Sequence, residues 1–92
     1  MARFEASVVE TVEVAPGGGT SDGLFQLGLM HCVGRDVPLD LIMAHKWFNL
    51  AALRGNAEAK RYRMEIAGEM TKSEVAEAQR HAREWLRRLR RA

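Results

Sequence analysis

The sequence contains little that could build a disulfide-stabilised or membrane-spanning protein. Its 92 residues include a single cysteine, Cys32, which excludes a disulfide within the chain and fits a reducing compartment. No run of about 18 apolar residues occurs, so we expect no transmembrane helix. Glu5, Glu10 and Glu13 interrupt the N-terminal segment where a secretory signal needs an unbroken apolar stretch. These features favour a cytoplasmic location.

Motifs for catalysis, metal binding or phosphate binding are also missing. The segment Gly17–Gly19 follows no strand and precedes no Lys-Ser or Lys-Thr pair, so it is not a phosphate loop. His31, Cys32 and His45 lack the paired spacing of zinc ligands, and adjacent helical residues point about 100° apart. A packed cysteine and two histidines at helix contacts are the simpler interpretation. We expect no enzymatic activity, no catalytic residues, no metal, no cofactor and no small-molecule substrate.

What the sequence does contain is helical periodicity, with 47% apolar and 28% charged residues. The predicted helices are about Asp22–Val33, Leu39–Arg54, Ala57–Gly68, and Thr71 to the end. Ser21 or Asp22 is suited to cap the first, Asp40 the second and Asn56 the third. Thr71 and Glu74 have the spacing of a capping box at the start of the fourth.

The first 20 residues are ambiguous. Val8, Val12 and Val14 fit a short strand, whereas Phe4, Val8 and Val12 fit a weak helical stripe. Pro16 and the following glycines then interrupt regular structure. We predict a flexible or weakly ordered arm at residues 1–20 and one α-helical domain at residues 21–92.

Small residues lie where the first two predicted helices must touch. Gly28 costs about 1 kcal/mol relative to alanine inside a helix, which indicates a close backbone approach. Trp47 and Phe48 lie between alanines at helical spacing. We predict that these two residues, with Tyr62 and Trp85, fill the core rather than line a ligand groove. The polar strip of this second helix is narrow and consists of His45, Lys46 and Asn49.

Residues 22–55 resemble a Sel-1-like repeat, a relative of the tetratricopeptide repeat. The residues that carry the resemblance are Leu27-Gly28, Gly34-Arg35-Asp36-Val37, Asp40, Ala44, Trp47-Phe48, Ala51-Ala52 and Gly55. Two positions differ from the family pattern: His31 replaces an aromatic residue and Asp36 replaces a loop glycine. Aspartate tolerates the left-handed conformation, so we expect the loop to be kept. Residues 57–91 match poorly and are interpreted as a diverged second unit.

The resemblance implies an all-α fold of antiparallel helix-turn-helix repeats, forming a short α/α superhelix of about four helices. It also implies a non-enzymatic scaffold that binds a peptide, a partner protein or a second copy of itself. The first helix is too apolar for an edge helix facing water, and its face is the predicted binding surface. The candidate partner-binding residues are Phe25, Leu29, His31, His45 and Asn49.

An alternative function follows from the charge distribution. Residues 1–53 hold three basic and six acidic side chains, whereas residues 54–92 hold eleven basic and six acidic. The candidate anion-binding residues in the last helix are Arg83, Arg87, Arg88, Arg90 and Arg91. Such a helix could dock on nucleic acid or an anionic membrane. We favour a solubilising and helix-capping role, because cations stabilise helix C-termini and because Leu86 and Leu89 continue the apolar core stripe of this helix. We expect neither nucleic acid nor membrane as the main partner.

Overall fold

The computed structural model describes residues 20–91 and consists there of four α-helices. They are α1 (Ser21–Val33), α2 (Leu41–Leu53), α3 (Ala57–Ala67) and α4 (Lys72–Arg91). No β-strand occurs within this range, so the predicted all-α fold of four helices is confirmed. The predicted arm at residues 1–20 lies outside the described residues except for Thr20, as does the side chain of Arg91.

The start of α1 differs from the prediction. Thr20, rather than Ser21 or Asp22, is the N-cap, and its Oγ1 accepts a hydrogen bond from the backbone N–H of Gly23 at 3.0 Å. Thr20 has the extended conformation of an N-cap, with φ −79° and ψ 156°, whereas Ser21 is already helical. A threonine cap satisfies the same free N–H group that a serine or aspartate cap would.

The other helix starts follow the predicted caps. Asp40 accepts from the N–H of Met43 at 3.1 Å, and α2 therefore begins at Leu41 rather than at Leu39. Asn56 accepts from the N–H of Ala59 at 2.8 Å. The predicted capping box of α4 is present in both directions. Glu74 N–H donates to Thr71 Oγ1 at 3.1 Å, and Thr71 N–H donates to Glu74 Oε1 at 2.8 Å.

The turn between α1 and α2 depends on two residues in the left-handed conformation. Gly34 has φ 75° and Asp36 has φ 68°, as expected for the loop. The N–H of Asp40 then donates to the carbonyl of His31 at 3.0 Å, which joins the start of α2 to the end of α1. Because Phe25 near the start of α1 meets Phe48 late in α2, the two helices run antiparallel.

Helix α2 lies at the centre and packs against each of the other three helices. Its inward-facing residues are fully buried or nearly so: Ala44, Trp47, Phe48, Leu50 and Ala51. The Trp47 ring meets Trp85 of α4 edge-on at 5.9 Å, and the Phe48 ring lies 5.5 Å from Tyr62 of α3. Helices α3 and α4 both pack chiefly on α2 rather than on one another.

Gly28 of α1 packs directly against the Phe48 ring of α2. A Cβ built on it would overlap Cδ1 and Cε1 of Phe48 and lie 3.1 Å from Cγ. The close backbone approach predicted at this glycine is therefore replaced by contact with an aromatic side chain. Only a residue without a side chain leaves room for the Phe48 ring at this crossing.

Two parts of the expected surface pattern differ. His45 and Lys46, expected in a polar strip, are only 3% and 4% exposed. The ammonium of Lys46 lies 4.1 Å from the centroid of the Trp47 ring, which favours a cation over an aromatic face. Leu89, expected to continue the core stripe of α4, is 39% exposed.

Candidate interaction surface

An apolar stripe runs along the edge of α1, between its buried side and solvent, and three of its residues pack partly against the core. Phe25, Leu29, Cys32 and Val33 are spaced by four, three and one residues and therefore lie on one side of the helix. The first three are half-buried, and Val33 is 65% exposed. We call these four residues the α1 stripe. It presents apolar surface to solvent on a helix that has little polar surface of its own.

The opposite side of α1 belongs to the core. Leu24, Leu27, Gly28 and His31 are buried, and this side includes the contact with Phe48. The first helix was predicted to be too apolar for an edge helix facing water. Burial of this side against α2 accounts for part of that apolar surface. The inner side meets α2, and the edge carries the α1 stripe.

Aromatic contacts hold one end of the α1 stripe in place. The Phe25 ring lies 5.4 Å from Tyr62 in a T-shaped arrangement and 5.7 Å from Phe48. Such pairs contribute about 0.5–1.5 kcal/mol each beyond the area they bury. Phe25 is therefore a structural residue as well as a surface one, whereas Leu29 is the member of the stripe better suited to contact a partner.

The Cys32 thiol in the middle of the stripe is not activated. Partial burial raises the pKa of Cys32 above its ordinary value, and the negative charge of Glu69 raises it further. A thiol with a raised pKa stays protonated at neutral pH, and the thiolate is the nucleophilic form. Cys32 thus acts as a small apolar residue of the surface.

His31 lies on the inner side of α1 and is 5% exposed. Burial lowers the pKa of His31 below its ordinary value. The negative charge of Asp40 raises this pKa, and the positive charge of Lys46 lowers it further. This candidate partner-binding residue is therefore part of the core and not of the α1 stripe.

His45 and Asn49, also candidate partner-binding residues, form a separate group on α2. They are one turn apart and face α3, where Arg63 Nη1 donates to Asn49 Oδ1 at 2.6 Å. His45 is 3% exposed, and its pKa is lowered by burial and then by the positive charge of Arg63. The structure brings this pair together with Arg63, away from Phe25 and Leu29.

Of the candidate anion-binding arginines, Arg83, Arg87, Arg88 and Arg90 are exposed on α4, and the side chain of Arg91 lies outside the described part of the chain. Arg83, Arg87 and Arg90 share one side of the helix at spacings of four and three residues, and Arg88 points to another. Arg87 Nη1 is paired with Glu84 Oε1 at 2.6 Å. The positive surface is thus spread along one helix and partly neutralised.

Residues 20–91 contain neither a cluster of metal-ligating side chains nor a helix suited to span a membrane. No group of three or more His, Cys, Asp or Glu side chains in that range is close enough to hold a metal ion. None of the described helices combines the length and the apolar character needed to cross a bilayer.

In comparisons with family models, with curated proteins and with solved structures, nothing matches this chain.

Sequence reasoning missed three features of these surfaces. Tyr62 was assigned to the core alone, but it also supports Phe25 of the α1 stripe. The bond between Arg63 and Asn49 joins residues 14 apart in sequence, which no local pattern reveals. Nothing in the sequence indicated that Lys46 is buried, because a lysine within a polar strip is normally solvated.

Proposed function

We propose that this chain is a Sel-1-like repeat module that binds a protein partner or a second copy of itself through the α1 stripe. The single observation that carries the proposal is the apolar character of this stripe, which includes a valine with 65% of its surface exposed. Apolar patches of this kind on small proteins mark interaction surfaces more often than isolated apolar residues do. The proposed role is that of a non-enzymatic scaffold in the cytoplasm.

The local geometry of the first unit supports the assignment to this repeat family. The family-like glycines Gly34 and Gly55 have positive φ angles of 75° and 104°. Gly28 admits Phe48, and the family-like Ala44 and Ala51 are fully buried. These residues of the quoted pattern therefore each have a physical task in the α1–α2 pair, which supports the assignment to a repeat.

Leu29→Lys tests the proposal, with Met64→Lys as the matched control. Each variant replaces an apolar side chain that solvent reaches with lysine. Met64 is on α3, about 200° around that helix from Tyr62, which contacts the α1 stripe. A charge within the binding surface must be desolvated on association, so Leu29→Lys should weaken it by at least about tenfold. Met64→Lys should leave association within about twofold of the parent protein.

Self-association is measured by sedimentation equilibrium, and partner binding by quantitative capture on the tagged protein. Helical circular dichroism must be retained in both variants, which shows that folding is intact. Equal association of the parent protein and Leu29→Lys would reject the α1 stripe as the binding surface.

The second candidate function is docking of α4 on nucleic acid or an anionic membrane. The observation in its favour is the row formed by Arg83, Arg87 and Arg90 on one exposed side of α4. Such binding releases counterions, so it should weaken steeply between low and moderate salt. A titration with single-stranded DNA and with anionic vesicles at low salt tests it, and the absence of binding to both would remove this candidate.

A further inference from the structure

A row of acidic side chains lies along the side of α3 that meets α1. Tyr62 of α3 contacts Phe25 of α1, with the ring centroids 5.4 Å apart. Glu58 and Glu65 are four residues before and three residues after Tyr62, so they share its side of the helix. Glu69, in the turn after α3, continues this spacing. We call Glu58, Glu65 and Glu69 the acidic row, and all three are exposed.

The acidic row runs beside the α1 stripe and in the same direction. Phe25 meets Tyr62 at one end. Seven residues further along each segment, the negative charge of Glu69 acts on the Cys32 thiol. Seven helical residues span about 10 Å, so the two lines of side chains stay aligned over that distance. The α1 stripe therefore has carboxylates along the border that faces α3.

Basic residues of α3 do not cancel the charge of this border. Arg61 is paired with Glu58 at 3.4 Å, which offsets that member of the acidic row. Arg63 donates to Asn49 at 2.6 Å on the side of α3 that meets α2. Within residues 20–91, neither arginine forms an ion pair with the other two members of the row.

The charges around α1 itself leave one more carboxylate at the stripe. Arg35, in the turn after α1, is followed directly by Asp36, and both are exposed. Lys46 and Asp40 contribute opposite charges at the inner side of α1. Asp22 is exposed in the first turn of α1 and lies about two turns before the middle of the α1 stripe, on the same side.

These features together select the chemistry of a ligand. Leu29 and Val33 offer surface for apolar side chains. Three carboxylates border that surface and attract cationic side chains, namely those of Asp22, Glu65 and Glu69. The same carboxylates repel acidic segments and the phosphates of nucleic acids.

We propose that the α1 stripe and the acidic row together bind a basic, amphipathic segment of a partner protein. This inference rests on the function proposed above and specifies the chemistry of the partner. Apolar side chains of the segment pack on Leu29 and Val33, and its lysine or arginine side chains lie beside Glu65 and Glu69. Charge complementarity and the exposed apolar surface carry this assignment.

The probe is a synthetic leucine-lysine peptide of about 14 residues, which as a helix matches the length of α1, roughly 20 Å. It carries a fluorophore and is titrated with the full chain by anisotropy in about 0.15 M salt, where distant charges are screened. One control peptide replaces every lysine by glutamate, and another replaces every leucine by serine. Each should bind at least about tenfold more weakly, because it loses one of the two kinds of contact. Equal binding of either control peptide would overturn the proposal.

Two double variants with the same change of charge test the acidic row. Glu65→Lys with Glu69→Lys reverses two charges of the row, whereas Glu77→Lys with Glu84→Lys reverses two charges on α4. Helical circular dichroism must be retained in both. The first should weaken binding of the leucine-lysine peptide at least about tenfold, because two favourable charge pairs become repulsive. The second should change it by no more than about twofold, because charges outside the site are screened. Similar losses in both would show unspecific attraction and overturn the proposal.

Leu29→Gln separates this inference from the proposed function. It should also weaken peptide binding, since apolar contact is lost while the charge is unchanged. If Leu29→Gln weakens binding but Glu65→Lys with Glu69→Lys does not, the α1 stripe binds without selection by the acidic row, and this inference fails while the proposed function stands. If neither weakens binding, the peptide binds elsewhere and the inference fails, and the capture experiment with Leu29→Lys decides the proposed function independently. A peptide affinity that falls as the parent chain dimerises would assign the surface to a second copy and overturn the proposal.

Discussion

Replacing Gly28 with alanine tests the most constrained contact in the fold. The added Cβ would overlap two ring carbons of Phe48, a residue with no exposed surface. The ring cannot move away freely, because Phe25 lies 5.7 Å from it and Tyr62 5.5 Å from it. Either α1 must shift away from α2 or the aromatic cluster must rearrange.

Two effects of opposite sign determine the result. Alanine is favoured over glycine inside a helix by about 1 kcal/mol. Overpacking of a filled core costs about 1–3 kcal/mol. We expect the second effect to dominate and the free energy of unfolding to fall by about 1 kcal/mol, which corresponds to a melting temperature lower by about 4–8 °C in a domain of this size.

The assay is thermal and urea unfolding followed by circular dichroism. Gly68→Ala is the control, because Gly68 also has a helical backbone, with φ −65°, and its added Cβ meets only the Glu65 carbonyl oxygen at 3.3 Å. This variant should be as stable as the parent protein or slightly more so. The double variant with Gly28→Ala and Phe48→Leu should lose less free energy of unfolding than the two single variants lose in sum.

The reasoning would be refuted if Gly28→Ala were at least as stable as the parent protein. Simple additivity of Gly28→Ala and Phe48→Leu would also count against it, since the proposed clash is between these two residues. Both outcomes would mean that helix propensity, rather than the contact between Gly28 and Phe48, governs this position.

Three further predictions concern Trp47, the two buried histidines and the capping box of α4. Trp47→Ala should lose about 3–5 kcal/mol and unfold much of the protein, because Trp47 has no exposed surface; retention of the parent melting temperature would contradict its place in the core. Burial lowers the pKa values of His31 and His45 below 6.5, so the stability they contribute should be complete above about pH 6.5 and decrease as the pH falls through the lower, folded-state values. Melting curves from pH 7.5 to 5.5 measure this, and His45→Gln should reduce the slope. Thr71→Ala should cost about 1 kcal/mol by removing the bond to the N–H of Glu74, whereas Thr71→Ser should cost less, as urea unfolding can show.

The helices and their ends could be predicted from the sequence because the controlling interactions are local. Asp40, Asn56 and the pair Thr71 and Glu74 each bond to a backbone or side-chain group three residues away. Such contacts are set by residue type and spacing alone. The cap of α1 is Thr20 instead of Ser21 or Asp22, which is a shift of one or two positions among residues that are all suited to cap a helix.

The interaction surfaces were predicted less completely. Phe25 and Leu29 were chosen because α1 is too apolar for one buried side, and both lie on the edge of the helix. His31 and His45 were placed beside them as candidates, but these side chains are buried in the core and at the contact with α3. Spacing along a helix indicates which residues share a side, but not which sides a neighbouring helix covers.

From the sequence alone, the number of helices, the caps of α2, α3 and α4, and the left-handed turn at Gly34 and Asp36 could be derived. These depend on backbone conformation and on residues that are near in sequence. The burial of Lys46 and the exposure of Leu89 were decided by tertiary structure. Both arise from where α2 lies relative to the other helices, and this geometry depends on contacts between residues distant in sequence.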